Sequence, residues 1–321
     1  MKKLLIASTA LVMVAGAAAA EVKLSGNARM GIVHNGDDAY FSSRARVVFA
    51  LSGTTDSGLE FGATFRADEA GETDVNNGAA FGNEGTVFVS GAFGKIEMGD
   101  TVSAPEALFG DLYEVGYTDL AMGDLSNDIP YLTGDGAGAG ATTRANPGNP
   151  SVLYTYSAGA FSVAASMTDG VNATNTGDPS NAVTTDVATQ YAVAGAYTFG
   201  NYTVGLGYEV IDPTAGDNVD QVELAGTAKF GATNVKAYYA SLNDVVDAQA
   251  YGVSVDTTFG ATTVGGYVQN LDSDNNAADV TWYGLGASYD LGGGASIVGG
   301  IADNDLPNTD MVADLGVKFK F

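Results

Sequence analysis

The chain has 321 residues and a formal net charge of −25, with 38 Asp and Glu against 13 Lys and Arg. A chain this acidic repels phosphates, so we expect no nucleic-acid partner. Cysteine is absent, which excludes disulfides and thiol chemistry, and the 44 Gly, 16 Tyr and 14 Phe with only 7 Pro indicate a β-rich protein.

The first twenty residues have the layout of a secretory signal peptide. Two lysines precede the apolar stretch Leu4–Val14, and three alanines follow at 18–20. This order of basic, apolar and small residues is typical of an exported leader, and the apolar stretch is too short to span a bilayer. The sequence predicts cleavage between Ala20 and Glu21, which leaves residues 21–321 as the mature chain.

Beyond this leader the chain is a succession of short segments in which apolar and polar residues alternate, the pattern of half-buried strands. We predict sixteen strands, with the bounds Val22–His34, Ser43–Gly53, Leu59–Asp68, Glu84–Ala92, Lys95–Asp100, Val152–Ser157, Phe161–Thr168, Thr185–Phe199, Tyr202–Ile211, Gln221–Phe230, Asn234–Ser241, Ala250–Phe259, Thr263–Leu271, Val280–Leu291, Ala295–Ala302 and Met311–Phe321.

The links between these strands alternate between tight turns and long polar loops. The hexapeptides that begin at Phe199, Phe230 and Phe259 are near copies of one another, FGNYTV, FGATNV and FGATTV, and each contains a tight turn. Short turns at one end, long loops at the other and aromatics beside the turns are typical of outer-membrane barrels. The predicted fold is an all-β transmembrane antiparallel β-barrel of sixteen strands.

The two faces of the predicted strands differ in polarity. In the last strand Leu315 and Val317 share an apolar face, whereas Asp314 and Lys318 share the opposite face, with Val312 as the exception. In a membrane barrel the apolar face meets lipid and the polar face lines the interior. With sixteen strands the interior is wide enough to hold water.

The polar face of the first three strands is basic. It carries four arginines: Arg29, Arg44, Arg46 and Arg66. Neighbouring strands lie about 4.8 Å apart, so these side chains form a basic patch on one wall. One hypothesis is that they make solvated ion pairs with Glu60 or Asp68, which contribute little. The other is that they face an acidic cluster across a narrow passage.

An acidic segment that can supply this cluster runs from about residue 101 to 150 and has no clean strand pattern. Its carboxylates are Glu106, Asp111, Glu114, Asp119, Asp124, Asp128 and Asp135. Loops this long are either functional or disordered, and the apolar residues between these acids predict that the first half packs against the barrel. Hard cations bind clustered carboxylates, so calcium is a candidate ligand at Glu106, Asp111 and Asp128.

Several segments resemble the Rhodobacter-type general porins. They are EVKLSGNARMGIVHNGDD, FSSRARV, SGTTDSGLEFGA, SGAFGKIEMGD, EALFGDLYEVGYTDL, NDIPYLTGD and the ending GGGASIVGGIADNDLPNTDMVADLGVKFKF. The resemblance implies a homotrimer of 16-stranded barrels in which the third long loop folds into the lumen as an eyelet. Carried onto this sequence, the acidic side of the eyelet is Glu106, Asp111, Glu114, Asp119 and Asp128, and the basic side is Arg29, Arg44, Arg46 and Arg66.

The resemblance also implies passive diffusion of small hydrophilic solutes and ions, without catalysis, in the bacterial outer membrane among lipid and lipopolysaccharide. It implies calcium near the eyelet and an assembly signal at Phe321. The acid surplus predicts a weak preference for cations. Two other classes stay open at this stage: a plugged barrel acting as a structural or calcium-dependent surface protein, and a secreted acidic β-enzyme.

Overall fold

The structure is a computed structural model. It describes residues 21–70, 85–120, 128–134, 151–174, 183–243, 247–274, 279–307 and 309–321. The predicted leader, 1–20, with its cleavage residue Ala20, lies outside these ranges. No helix among the described residues is long and apolar enough to cross a membrane.

The described chain is built almost wholly of strands, with one short helix. In chain order the elements are β1 (Glu21–His34), β2 (Ala39–Thr54), β3 (Glu60–Ala70), β4 (Gly85–Gly91), β5 (Gly94–Gly99), α1 (Ala104–Phe109), β6 (Ser151–Ala158), β7 (Phe161–Thr168), β8 (Val171–Thr174), β9 (Val183–Asp186), β10 (Thr189–Phe199), β11 (Tyr202–Asp212), β12 (Val219–Phe230), β13 (Thr233–Asn243), β14 (Ala248–Phe259), β15 (Thr262–Ser273), β16 (Val280–Gly292), β17 (Ala295–Asn304) and β18 (Val312–Lys320).

Sixteen of the described strands form a closed antiparallel barrel, in which β1 to β7 and β10 to β18 pair in order and β18 closes onto β1. The predicted strand number and fold class are therefore confirmed. At the closure the amide of Phe321 donates to the carbonyl of Gly26 over 2.9 Å, just beyond the last strand. Closure pairs every strand along both edges, which a sheet in lipid requires because the bilayer core offers no hydrogen-bond partner.

One predicted strand was wrong in extent. We predicted a single strand over Thr185–Phe199, but the barrel strand β10 begins at Thr189, and Val183–Asp186 instead pairs with β8 in a separate two-stranded sheet. The amide of Val187 donates to the carbonyl of Gly170 over 2.8 Å at the base of this small hairpin. Alternation reports an extended backbone but not its partner, so the two strands were merged.

The outer surface of the barrel is apolar. Along β11, Leu206 and Tyr208 are exposed, whereas Gly207 and Glu209 between and beside them are buried. The predicted alternation is thus confirmed, with its apolar face outward. Val312, the exception in the last strand, points inward, where it packs against the buried cluster inside the barrel.

Aromatic rings follow one another along the barrel near its tight turns. Ring centroids lie 4.6 to 6.0 Å apart along the series Phe161, Tyr197, Phe199, Tyr202 and Phe230. Phe199 and Phe230 each precede a tight turn and are about half exposed. Rings in this position form the aromatic girdle of a membrane barrel at the bilayer interface.

The hydrophobic core lies inside the barrel. Its members include Leu112, Val115 and Tyr131 from the segment between β5 and β6, packed against wall residues such as Tyr238 and Trp282. A 16-stranded barrel is too wide for its own inward side chains to fill. The segment between β5 and β6 therefore occupies part of the interior.

Candidate functional site

The segment inside the barrel begins with the short helix α1. We call residues 101–120 and 128–134 together the lumen loop. The Ser103 hydroxyl accepts from the amide of Glu106 over 3.3 Å and caps the helix, Pro105 lies in its first turn, and Gly110 ends it at φ 56°. Ser-x-x-Glu with a proline is a helix-start signal that the sequence carries and that we did not use.

The lumen loop lies on wall glycines that face inward. We call these glycines the glycine track. Each of them lies under a side chain of the loop: Pro105 on Gly207, Phe109 on Gly205, Leu112 on Gly252, Tyr113 on Gly265, Val115 on Gly286 and Gly300, and Tyr117 on Gly31 and Gly316. A Cβ at Gly205 would lie 2.1 Å from Cε1 of Phe109. The need for glycine is steric, because the backbone at these positions does not take a positive φ.

Wall cations donate to backbone carbonyls of the lumen loop. Arg29 on β1 donates to the carbonyl of Thr118 over 2.9 Å and to that of Tyr117 over 3.3 Å. Lys236 on β13 donates to the carbonyl of Phe109 over 2.7 Å and to that of Asp111. Phe109 is the last residue of α1 and the other three residues lie outside regular structure, so no helix or strand ladder satisfies these carbonyls and side chains must do so.

Wall carboxylates accept from amides and hydroxyls of the same loop. Oδ2 of Asp314 on β18 accepts from both the amide and the hydroxyl of Thr118, each over 2.7 Å. Glu209 on β11 accepts from the amide of Leu132 over 2.6 Å, and from the amide and hydroxyl of Thr133 over 3.2 and 2.6 Å. Each of these two carboxyl groups accepts at least two bonds from the loop, so Asp314 and Glu209 are the main anchors.

Neutral wall side chains complete the attachment. The remaining bonds are Gln221 to the Pro130 carbonyl (2.6 Å), Gln269 to the Asp128 carbonyl (3.0 Å), the Gly134 amide to Gln190 (3.2 Å) and the Ala104 amide to Ser166 (2.9 Å). Along the loop, wall side chains thus donate to some backbone groups and accept from others. The eight wall residues that make these bonds lie on eight different strands, so the barrel holds the loop in one path from many sides.

A cavity of about 1250 Å³ runs beside the lumen loop. Loop residues Asp111 and Glu114 border it together with wall residues Arg29 and Arg44. Further charged wall residues along it are Lys229, Lys236, Asp256, Asp290, Lys318 and Lys320. Acids of the loop and arginines of β1 and β2 therefore border the same aqueous space.

The closed barrel, its apolar exterior and its charged interior agree with the comparison to known proteins. A family model described as Gram-negative porin matches residues 7–309. The chain belongs to this family. The Porin of Rhodobacter capsulatus is 63% identical, and that of Fuscovulum blasticum is 28% identical; each match covers 94% of this chain and 100% of the relative.

Solved porin structures have the same fold. One porin structure superposes with a TM-score of 0.79 at 62% identity, covering 94% of this chain and 100% of the other. A triple mutant of Rhodopseudomonas blastica porin superposes with a TM-score of 0.68 at 24% identity, which shows the fold alone. The protein is a general diffusion porin, a channel whose barrel spans the bacterial outer membrane.

The porin places the four predicted arginines on one wall. In the strand register Arg29 lies opposite Arg44, and Arg46 lies opposite Asn27. Arg66 on β3 lies opposite Val48, which is two residues from Arg46 on β2. Arg29 and Arg44 border the cavity, and Arg29 is also bonded to the lumen loop. Glu60, one partner considered for them, accepts instead from Ser90 over 3.3 Å.

The predicted acids of the porin are dispersed along the lumen loop. Asp111, which borders the cavity, accepts from the amide of Ile129 over 3.1 Å. Glu114 is exposed to the same cavity, whereas Glu106 lies in the first turn of α1. Asp119 takes a left-handed backbone at φ 61° in a turn, and the carbonyl of Asp128 accepts from the wall.

The described part of the porin contains no cluster of side chains that could hold calcium. Within those ranges, no three His, Cys, Asp or Glu side chains lie close enough together to hold a metal ion. Glu106, Asp111 and Asp128 therefore form no such group within those ranges, and calcium at these residues stays a prediction.

One buried phenol links the two halves of the lumen loop. Tyr131 donates from its hydroxyl to the carbonyl of Gly110 over 3.0 Å. Burial, reinforced by Asp111 and Glu106, raises the pKa of Tyr131. The phenol therefore keeps its proton and this bond at neutral pH.

Residues that we did not predict hold the loop of this porin. They are Lys236, Asp314, Glu209, Gln221 and Gln269. Asp314 was placed on the inward face, but without a partner. Charged and amide side chains on the inward face of a strand are the available signal, since such groups need a partner when buried. Their partners depend on the path of the loop, which alternation does not report.

Proposed function

We propose that small hydrophilic solutes and ions cross this porin passively, without catalysis, through a passage bordered by loop acids and wall bases. The acidic side comprises Glu106, Asp111, Glu114, Asp119 and Asp128, and the basic side Arg29, Arg44, Arg46 and Arg66. The observation that carries the proposal is the shared border of the cavity, with Asp111 and Glu114 on the loop and Arg44 on the wall.

Opposed charges across a narrow passage explain weak selectivity. They create a transverse field that orders water and disfavours apolar solutes, while the position of the lumen loop sets the size limit. Pores select by diameter, lining groups and electrostatic barriers. No bond is made or broken, so transport follows the concentration gradient.

Planar-bilayer recording tests this function. The purified porin is expected to insert in discrete steps, each with a conductance that rises in proportion to the salt concentration. A barrel that inserts but conducts no ions would contradict the proposal and favour the plugged surface protein. Liposome swelling with sugars of increasing size then gives the size limit.

The assembly forms part of the same proposal. The family resemblance implies a homotrimer, and the exposed apolar side chains of the wall suit contact with outer-membrane lipid, with lipopolysaccharide around the long loops. The mass of the detergent-solubilised complex tests the trimer. A monomeric mass under conditions that preserve conductance would contradict it.

Phe321 is proposed as the assembly signal. Its side chain is 80% exposed, so the ring contributes little packing within the barrel itself. Phe321→Ala is expected to lower the yield of inserted barrel in cells, whereas Phe259→Ala, at a ring 67% exposed beside another turn, is the control. Equal yields for the two variants would argue against a special role for the terminal ring.

A further inference from the structure

Two glutamates are fully buried side by side inside the barrel. Glu209 on β11 and Glu223 on β12 have no exposed surface. Glu209 lies opposite Gln221 and Glu223 opposite Gly207, so the two acids are diagonal neighbours on the inward face. A buried acid is costly unless it is hydrogen-bonded or neutral, so each needs an explanation.

Glu209 is satisfied as a carboxylate. Three donors reach it, the amide of Leu132 and the amide and hydroxyl of Thr133, and all belong to the returning segment of the lumen loop, 128–134. Each of its oxygens accepts at least one bond. This donor set favours the ionised form, because amide and hydroxyl donors stabilise negative charge.

Glu223 has a different environment. Its Oε1 accepts from Nε2 of Gln221 over 2.8 Å. Its Oε2 is buried and accepts from no donor among the described residues. Glu209 and Glu223 occupy diagonal positions of neighbouring strands, and both are fully buried. The oxygen of Glu223 without a donor is therefore the atom with room for a proton directed at Glu209.

We propose that Glu209 is the positioning residue of the returning segment 128–134, and that Glu223 supports it as a protonated acid that donates to it. Two ionised carboxylates in contact would repel each other, so the proton on Glu223 keeps the charge of Glu209 available to the loop. This inference rests on the proposed function, since it names what holds the constriction in place.

The returning segment connects Glu209 to the passage. The amide of Ile129 in this segment donates to Oδ1 of Asp111, and Tyr131 donates to the carbonyl of Gly110. Asp111 borders the cavity. Release of the segment from Glu209 therefore frees the acidic side of the passage to move.

Two amide substitutions separate the roles of the glutamates. In Glu209→Gln one acceptor oxygen becomes an NH₂ group that faces loop donors, so the uniform single-channel conductance is expected to be lost and replaced by several levels. In Glu223→Gln an amide donor takes the place of the acid proton, and the wild-type level is expected to persist. Glu97→Gln is the matched control, since Glu97 on β5 is bonded to Thr86 and Lys95 and not to the loop.

Infrared spectroscopy provides a readout that a merely structural role would not change. At neutral pH the wild type is expected to show the carbonyl band of a protonated carboxylic acid, which Glu223→Gln loses and Glu97→Gln keeps. This measurement needs only folded protein, so it remains decisive for Glu223 if Glu209→Gln fails to fold. Heat-modifiable mobility in SDS gels establishes folding for each variant.

The outcomes are distinct. Identical conductance for Glu209→Gln and wild type, or equal damage in Glu209→Gln and Glu223→Gln, overturns the assigned roles. An unchanged carboxylic-acid band in Glu223→Gln overturns the protonated state. A wild type that does not conduct refutes the proposed function instead, and the infrared comparison still decides whether Glu223 holds a proton.

Discussion

Inward cations of this porin occupy two kinds of position. Arg29 and Lys236 donate to backbone carbonyls of the lumen loop, so their charges are tied to its path. Arg44 borders the cavity and reaches Oδ1 of Asn27 over 3.5 Å, and its β2 neighbour Arg46 lies on the same face. Arg44 therefore contributes its charge directly to the lining of the cavity.

Neutralising Arg44 and Arg46 together tests the basic side. Arg44→Gln/Arg46→Gln is expected to shift the reversal potential in a salt gradient towards cation preference and to change the single-channel conductance, with folding retained. Lys95→Gln, which removes a cation paired with Glu97 over 2.6 Å on β5, is the control. Single-channel behaviour identical to the wild type would mean that neither arginine acts at the constriction.

The lumen loop is an element without a regular hydrogen-bond ladder of its own beyond α1. Its position depends on wall side chains that satisfy its backbone and on the glycine track that gives its side chains room. Buried backbone groups are almost always paired, and interiors are closely packed, so the loop has few alternative paths. The wall thereby sets the geometry of the passage.

Gly205→Ala tests the glycine track. Its Cβ would collide with Phe109, so we expect a loss of stability of about 1–3 kcal/mol from overpacking and an altered conductance. Gly195→Ala on neighbouring β10 is the control, because the nearest atom to its Cβ lies 4.0 Å away. Thermal unfolding in detergent and bilayer recording measure the two effects. Equal stability of the two variants would show that Phe109 moves away from the added methyl group without lowering the free energy of unfolding.

At the scale of the whole molecule, acidic residues are numerous in the long loops. Those described include Asp37, Asp38, Asp217, Asp247, Asp274, Asp305 and Asp310. Clustered charge of one sign at a channel mouth raises the local concentration of the opposite ion. The charged lining of the cavity itself carries both signs. We therefore expect the mouth to be the part that favours cations.

The whole-molecule charge predicts a weak cation preference. In a KCl gradient the reversal potential is expected to have the cationic sign, and the preference is expected to weaken at high salt because exposed charges are screened. A potential of anionic sign would mean that the basic lining dominates. An unchanged preference at high salt would place the selectivity within the passage and not at its mouth.

Much of the fold of this porin could be predicted from the local sequence pattern. Sixteen barrel strands and their apolar outer face follow from period-two alternation, because a strand in a membrane barrel must present one face to lipid. The inward positions of Arg29, Arg44, Arg46 and Arg66 follow from the same rule. Thr185 was merged into the wrong strand because alternation does not report the partner of a strand. Helix α1 was not predicted because alternation does not report helix capping.

The sequence by itself determined the membrane barrel, the two faces of its wall and the acidic segment that interrupts its strands. Only the tertiary structure decided that Asp314 and Glu209 hold that segment, and that Phe109 needs a glycine at position 205. These contacts join residues from 76 to 196 positions apart. The physical reason is that local periodicity fixes the face of a side chain, whereas its partner depends on how the whole chain closes around it.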